Sequence, residues 1–193
     1  MRAILMSDRP KWCALMMNGI KKIEVRKGTA LYKAIQKLID EYGYADIYVY
    51  CTKDNHQLVK PKTYDKYLLF TKGAVNCVHE QTLNGKVIFK FRCYKVEEIR
   101  FYDKEIQMKS CLTEDELFDY LFVNEPYNED MKKGYAIHIS DLEIFDKPKE
   151  LSEFKHYKKF VSYDYTYTKK YVDWELRPLT KAPQNYCYIE VGE

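Results

Sequence analysis

The stretch "NGIKKIEVRKG", residues 18–28, alternates charged and apolar side chains between two glycines. In an extended strand, successive side chains point to opposite faces. Ile23 and Val25 would therefore share one face and be buried against a core. Lys22, Glu24 and Arg26 would share the opposite face. That charged face is either exposed to water, with modest charge pairs to a neighbouring strand, or it lines a binding site.

The residues before this stretch predict a strand followed by a helix. The run "RAILMS" (2–7) is apolar enough for a buried strand. In the adjoining "SDRP", Ser7 or Asp8 is a candidate N-cap, and Pro10 suits the first helical turn. Gly19 is a natural end for this helix. The first part of the chain therefore predicts a β-α-β unit.

The rest of the chain predicts more strands than helices. Residues 29–43 have the apolar periodicity of a helix that ends at Gly43. Thr113 and Glu116 have the spacing of a capping box, which predicts a second short helix. Many strands with few helices predict one α+β domain with a curved or barrel-like sheet. The predicted strand segments are 45–53, 83–102 (with Val87, Phe89, Phe91 and Cys93 on one face), 134–148 as two strands, and 185–191.

Composition limits the classes of function. The 193 residues suit one domain, and a net charge of +3 permits a nucleic-acid partner without demanding one. Six cysteines occur without a CxxC pair or a close histidine partner, so we predict no metal site, and we expect no cofactor. No signal peptide or membrane-length stretch is visible, so we expect a cytoplasmic protein with reduced thiols and no membrane partner.

Three features can carry chemistry, and each has a purely structural alternative. Lys21 beside Glu24 can serve as a proton-transfer pair or bind a phosphate or a base edge. His138, between two isoleucines, is either a hydrogen-bonded structural residue or part of a site. The 19 tyrosines are unusual, and the Tyr- and Lys-rich residues 157–171 can stack on single-stranded nucleic acid or pack on a sheet. No nucleophilic triad or phosphate-binding glycine motif is present.

Residues 4–27, "ILMSDRPKWCALMMNGIKKIEVRK", resemble the opening of the ASCH family (activating-signal-cointegrator homology) of the PUA-like superfamily. The resemblance includes a Gly-x-Lys-x-x-Glu-x-Arg run formed by Gly19, Lys21, Glu24 and Arg26. Four later segments resemble the small ASCH proteins of Firmicutes and their phages: "IYVYCTK", "NGKVIFKF", "GYAIHISDLEIFDKPKELSEF" and "RPLTKAPQNYCYIEV".

This resemblance implies a PUA-like β-pseudobarrel with flanking helices, formed by residues 1–193 as a single domain. It also implies a cleft into which the Gly-x-Lys-x-x-Glu-x-Arg strand faces. The family is thought to bind RNA or nucleotides, and some members hydrolyse acylated cytidine. The ligand-binding residues that we expect in the cleft are Lys21, Glu24 and Arg26, with Ser7, Arg9, Thr52, His138 and Gln184 as inferred neighbours.

The chain departs from the resemblance in ways that affect its function. A helical insertion near 29–43 and a Tyr- and Lys-rich insertion near 157–175 are expected to reshape the domain. In the acetylcytidine hydrolases, a catalytic threonine stands three residues after the lysine, where this chain has Glu24. Whether the protein is an enzyme is therefore open.

Three hypotheses for the function follow. The leading hypothesis is that the protein is an RNA- or nucleotide-binding module in which Lys21 and Arg26 neutralise phosphate or bind a base edge. The alternative is a small amidohydrolase for a modified nucleoside, with Lys21 activating and Glu24 as general base. The third is a phage- or defence-related interaction module that binds a protein partner through 157–175.

Overall fold

The computed structural model describes residues 1–61, 65–71, 82–122, 134–164 and 169–192. Over these ranges the chain is a mixed α+β protein, which confirms the predicted fold class. None of the helices in these ranges combines the length and apolar character needed to cross a membrane. The helices are α1 (Pro10–Met17), α2 (Thr29–Tyr42), α3 (Lys104–Ser110) and α4 (Glu114–Phe122). The strands are β1 (Arg2–Asp8), β2 (Ile23–Lys27), β3 (Ala45–Cys51), β4 (His56–Val59), β5 (Leu68–Thr71), β6 (Val87–Cys93), β7 (Val96–Ile99), β8 (Gly134–His138), β9 (Ser140–Lys149), β10 (Lys155–Asp164), β11 (Lys169–Pro178) and β12 (Tyr186–Glu190).

The strands form three sheets. The largest has the order β11-β10-β12-β1-β3-β6-β9, a second has the order β2-β8-β7, and β4 pairs with β5. In the large sheet, β1 is parallel to β3 on one side and antiparallel to β12 on the other. Among the described residues this sheet ends at β9 and β11, so it is open and does not close into a complete barrel.

Three apolar clusters hold the sheets and helices together. The first lies between one face of the large sheet, helices α1 and α2, and one face of the three-stranded sheet; Ile35 and Phe91 belong to it. The second covers the opposite face of the large sheet and includes Leu5. The third packs the three-stranded sheet against α3 and α4 and contains Ile23 and Val25. These two residues are 0% and 5% exposed, so their predicted burial is confirmed.

The start of α1 differs from the prediction. Its N-cap is Arg9, which makes no side-chain capping hydrogen bond, while Ser7 and Asp8 belong to β1. The prediction of Ser7 or Asp8 as the cap was therefore wrong: pairing with β3 continues through Asp8, which keeps both residues extended. The capping box of α4 is confirmed, because Thr113 N donates to Glu116 Oε2 (2.9 Å) and Glu116 N donates to Thr113 Oγ1 (3.2 Å).

Strand β6 also corrects a detail of the sequence analysis. Phe89, Phe91 and Cys93 share the first cluster, but Val87 packs in the second cluster, on the opposite face of the sheet. The cause is an irregularity in the register between Val87 and Phe89, where Ile88 has no partner of its own on β3. An extra residue of this kind reverses the alternation of faces on one side of it.

The Tyr- and Lys-rich segment forms two long strands. Strands β10 and β11 pair antiparallel over ten residues each, and residues 165–168 between them lie outside the described residues. Because β11 is the last strand of the large sheet, this pair extends the sheet beyond β12. On one side it exposes apolar side chains at alternate positions: Tyr157, Val161, Val172, Trp174 and Leu176.

Candidate functional site

A cavity of about 590 Å³ lies where the end of β1, the start of α1, the strand β2 and helix α4 meet. Helix α1 connects β1, a strand of the large sheet, to β2, a strand of the three-stranded sheet. The cavity lies where these two strands of different sheets come together. The structure brings seven of the eight predicted ligand-binding residues to this cavity, namely Ser7, Arg9, Lys21, Glu24, Arg26, Thr52 and Gln184.

His138 is the eighth predicted residue, and it is not among the residues that line the cavity. Its Nε2 lies 2.7 Å from Glu97 Oε1, and Glu97 also contacts Lys95 Nζ at 2.8 Å. The pKa of Glu97 is lowered by the hydrogen bonds from Lys95 and His138. Since His138 ends β8 beside β7, its ring pairs with the neighbouring strand. We therefore leave His138 out of the candidate site.

A tight turn after α1 gives Lys21 its position. Gly19 adopts a positive φ of 70°, and the backbone N–H groups of Ile20 and Lys21 both donate to Leu15 O (2.9 and 3.1 Å). A left-handed residue after the helix end is common because it satisfies the last carbonyl groups. The turn leaves Lys22 exposed, whereas Lys21 is 2% exposed and lines the cavity.

Glu24 is the centre of a buried ionic network. Its Oε2 lies 3.3 Å from Lys21 Nζ, and its Oε1 lies 2.7 Å from Arg26 Nε. Lys21 Nζ also donates a hydrogen bond to Ser110 O (2.7 Å), at the end of α3. Buried charges are costly unless they are paired and hydrogen-bonded. Both oxygens of Glu24 therefore already have cationic partners inside the protein.

Arg26 joins this network to β1. Its Nη2 donates to Ser7 O (2.9 Å) and lies 3.4 Å from Asp8 Oδ2. Burial alone would lower the pKa of the guanidinium, but the neighbouring carboxylates of Glu24 and Asp8 outweigh it and raise that pKa. Arg26 therefore keeps its positive charge in the cavity.

Asp8 is a residue of the cavity that the sequence analysis considered only as a helix cap. Its side chain is 4% exposed, and its Oδ1 accepts a hydrogen bond from Arg9 N (2.8 Å). Its Oδ2 accepts no hydrogen bond from the described part of the chain. Burial, together with repulsion from Glu24, raises the pKa of Asp8 to about 7, although Arg26 partly opposes this. Asp8 therefore gains or loses a proton near neutral pH.

Two aromatic rings also line the cavity. The Trp12 ring has Lys11 Nζ 4.5 Å and Lys21 Nζ 4.7 Å from its centroid, within the range of cation–π contacts. Tyr120, from α4, is 39% exposed, and Lys27 Nζ lies 5.2 Å from its ring centroid. Tyr120 therefore offers a partly accessible flat surface for a planar ligand.

The charged residues that line the cavity nearly balance one another. Three are cationic and four are carboxylates, two of the latter contributed by α4: the cations are Arg9, Lys21 and Arg26, and the carboxylates are Asp8, Glu24, Glu116 and Asp119. Lys21 and Arg26 are engaged inside the protein, and Arg9 is exposed. The cavity therefore has the character of a mixed hydrogen-bonding site rather than of a cationic phosphate pocket.

Comparisons with known proteins found similarity only among solved structures. No family model matches the chain, and no curated protein matches it. A structure of ASCH from Zymomonas mobilis covers 77% of this chain and 73% of its own, with 14% identity and a TM-score of 0.45. A mutant ASCH protein from the same organism covers 77% and 74%, with 16% identity and a TM-score of 0.45. The N-terminal domain of Staphylothermus marinus McrB covers 78% and 77%, with 9% identity and a TM-score of 0.42.

These neighbours include the family that the sequence resembles. Their identities and TM-scores are too low to support any conclusion about the site or the activity of this chain.

Proposed function

We propose that this chain is an RNA- or nucleotide-binding module that takes one nucleoside-sized group into the cavity between β1 and β2. The observation that supports this is the buried network of Lys21, Glu24, Arg26 and Asp8, whose members all line a cavity of about 590 Å³. Buried ion pairs are often no more stabilising than well-packed apolar residues. A concave site with a few convergent polar groups and a perturbed carboxyl group is instead typical of ligand binding.

The other residues of the cavity fit such a ligand. Thr52 and Gln184 offer a hydroxyl and an amide that can hydrogen-bond to a base or a ribose. The Tyr120 ring offers a surface for stacking, which is the usual way in which proteins hold unpaired bases. Arg9 is exposed at the same cavity and is the cation best placed to contact a phosphate. We therefore assign the phosphate contact to Arg9 rather than to Lys21 or Arg26.

The test is a binding titration with purified protein. A single-stranded RNA of mixed sequence and the four ribonucleoside monophosphates are titrated by calorimetry, and any nucleotide that co-purifies is identified by mass spectrometry. Arg9→Ala should weaken binding by about tenfold or more, as expected for a lost charge-assisted hydrogen bond. Glu24→Gln should also weaken binding, because it removes the charge that holds Lys21 and Arg26 in the wall of the cavity. Lys22→Ala is the matched control, because Lys22 is exposed and adjacent to Lys21 but is not among the residues of the cavity. Absence of binding, or equal binding by all variants, would refute the proposal.

A small amidohydrolase that acts on a modified nucleoside is the second candidate function. It is favoured by Asp8, because a carboxyl group with a pKa of about 7 is matched to general acid–base work near neutral pH. Glu24, the base expected from the sequence, has both oxygens in contact with cations, whereas Asp8 Oδ2 accepts no hydrogen bond from the described residues. In this alternative Lys21 polarises the substrate and Asp8 activates water.

A protein partner that binds through residues 157–175 is a further hypothesis. It is favoured by the apolar side of the β10–β11 pair, on which Trp174 is 62% exposed and Tyr157 is 47% exposed. A second cavity, of about 550 Å³, lies beside these two residues. Exposed apolar patches of this kind are typical of interaction surfaces.

A further inference from the structure

One oxygen atom in the cavity has no hydrogen-bond donor within the described residues: Oδ2 of Asp8. We propose that this atom selects the ligand by accepting a hydrogen bond from the exocyclic amino group of a nucleobase, adenine or cytosine, so that the base and not the phosphate enters the cavity. The inference rests on the proposed function and specifies which part of the nucleotide is read, and by which residue.

The charges of the cavity argue against phosphate in this position. The two deepest cations, Lys21 and Arg26, already contact Glu24, and Arg26 also lies 3.4 Å from Asp8. Glu116 and Asp119 add two carboxylates from α4 to the same cavity. A phosphate group would therefore meet more carboxylates than cations in a partly buried place where charges are poorly screened. A neutral base meets no such repulsion.

The geometry of Asp8 favours an amino donor. Its Oδ1 is fixed by the backbone N–H of Arg9 at 2.8 Å, which leaves Oδ2 as the atom that can accept from a ligand. Its side chain is 4% exposed and faces the cavity, so a ligand that fails to donate leaves a buried acceptor unsatisfied. Adenine and cytosine each present an amino group beside a ring nitrogen that accepts. The Thr52 hydroxyl or the Gln184 amide, both in the same cavity, can donate to that ring nitrogen.

Uracil lacks this pattern. Its pairing edge carries carbonyl oxygens on both sides of a single N–H, so one carbonyl would face Asp8 Oδ2. A site whose buried polar group matches a substrate donor discriminates strongly against an analogue that lacks the donor. We therefore expect wild-type protein to bind adenosine or cytidine about tenfold or more tightly than uridine.

The experiment uses nucleosides without phosphate, and inorganic phosphate separately. Adenosine, cytidine, uridine and inorganic phosphate are each titrated into isotope-labelled protein and followed by NMR chemical-shift changes. The pH is about 8.5, above the Asp8 pKa of about 7, so that Oδ2 is an ionised acceptor. For wild-type protein we expect saturable binding of adenosine or cytidine, weaker binding of uridine, and no binding of inorganic phosphate at Asp8 or Glu24. This comparison needs no variant.

Asp8→Asn provides the second measurement. Because Arg9 N holds Oδ1 as an acceptor, the amide nitrogen should take the place of Oδ2 and turn an acceptor into a donor. The preference for an amino-bearing base should then be lost or reversed toward uridine. Asp46→Asn is the matched control, since Asp46 is an 8% exposed aspartate that pairs with Arg92 and is not among the cavity residues. It should leave the preference unchanged.

The outcomes separate this inference from the proposed function. If RNA, nucleotides and nucleosides all fail to bind, the proposed function fails, and this inference fails with it. If nucleotides bind and Glu24→Gln weakens them, but the base preference is absent or is unaltered in Asp8→Asn, only this inference is overturned. Saturable binding of inorganic phosphate in place of nucleosides would overturn it as well.

Discussion

Replacing Asp8 with asparagine should stabilise the protein above neutral pH, and the gain should fade as the solution becomes acidic. The pKa of Asp8 rises from an ordinary value of 3.8 to about 7 on folding, first because of burial and then because of Glu24. Between these two values the folded protein holds a proton that the unfolded chain releases. The free energy of unfolding therefore falls as the pH rises through this window, and the whole penalty is present above about pH 7. Asparagine cannot ionise, so the variant does not carry this penalty.

The size of the effect follows from the same two pKa values. At about 1.4 kcal/mol per pKa unit, the full penalty is about 4 kcal/mol. About 3 kcal/mol of it develops between about pH 5 and about pH 8. For a domain of this length, 1 kcal/mol corresponds to about 2–4 °C in melting temperature. The melting temperature of Asp8→Asn, relative to wild type, should therefore rise by about 6–12 °C over this interval.

Thermal unfolding followed by circular dichroism at a series of pH values measures this difference. Other titrating groups act on both proteins and largely cancel, so the comparison isolates Asp8. Asp46→Asn, measured alongside, shows what the loss of an almost buried aspartate outside the cavity does over the same series. A difference between Asp8→Asn and wild type that stays constant from acid to alkaline pH would show that folding does not raise the pKa of Asp8, and the reasoning would be wrong.

Two further predictions concern Lys21 and catalysis. Lys21→Ala should lower the free energy of unfolding by about 3 kcal/mol in urea denaturation, because it removes one of the two cations on Glu24 and the donor to Ser110 O. The exposed control Lys22→Ala should change it by less than about 0.5 kcal/mol, and equal losses would contradict the burial argument. Incubation with N4-acetylcytidine, read by chromatography, should give no deacetylated product, because both oxygens of Glu24 are engaged by cations. Turnover that disappears in Lys21→Ala and in Asp8→Asn would instead favour the amidohydrolase.

The sequence predicts local features well where one periodicity is uninterrupted. The alternation around Ile23 and Val25 correctly predicts which face of β2 is buried. The same alternation predicts the wrong face of β6 for Val87. The register irregularity that moves Val87 to the other face depends on the partner strand and not on local composition. In β10 and β11 the alternation is hard to see, since tyrosines, lysines and other large side chains occupy both faces.

The candidate site is only partly accessible to sequence reasoning, for a similar reason. Strand alternation predicts a shared face for Lys22, Glu24 and Arg26, and only the family resemblance points to Lys21 as a cleft residue. The structure brings Glu24, Arg26 and Lys21 to the cavity, whereas Lys22 is exposed outside it. The environment of Asp8 depends on Arg26 of another sheet, and nothing beside Asp8 in the sequence indicates that contact. His138 pairs with Glu97, which is 41 residues away. Contacts over such separations depend on strand pairing, which a single sequence does not specify.

The position of β1 between β3 and β12 has a consequence for biosynthesis. One of the two strands beside β1, residues 186–190, is synthesised long after residues 2–8. Until then one edge of β1 is open to pairing with foreign strands, a recognised hazard for unfinished sheets. Ser7 accepts a hydrogen bond from Arg26 at its carbonyl oxygen. Its hydroxyl group donates to Pro183 O, and this second bond cannot form until Pro183 has been synthesised. The wall of the cavity is therefore completed only after residues 183–190 have been synthesised, long after the residues of β1 that form part of it.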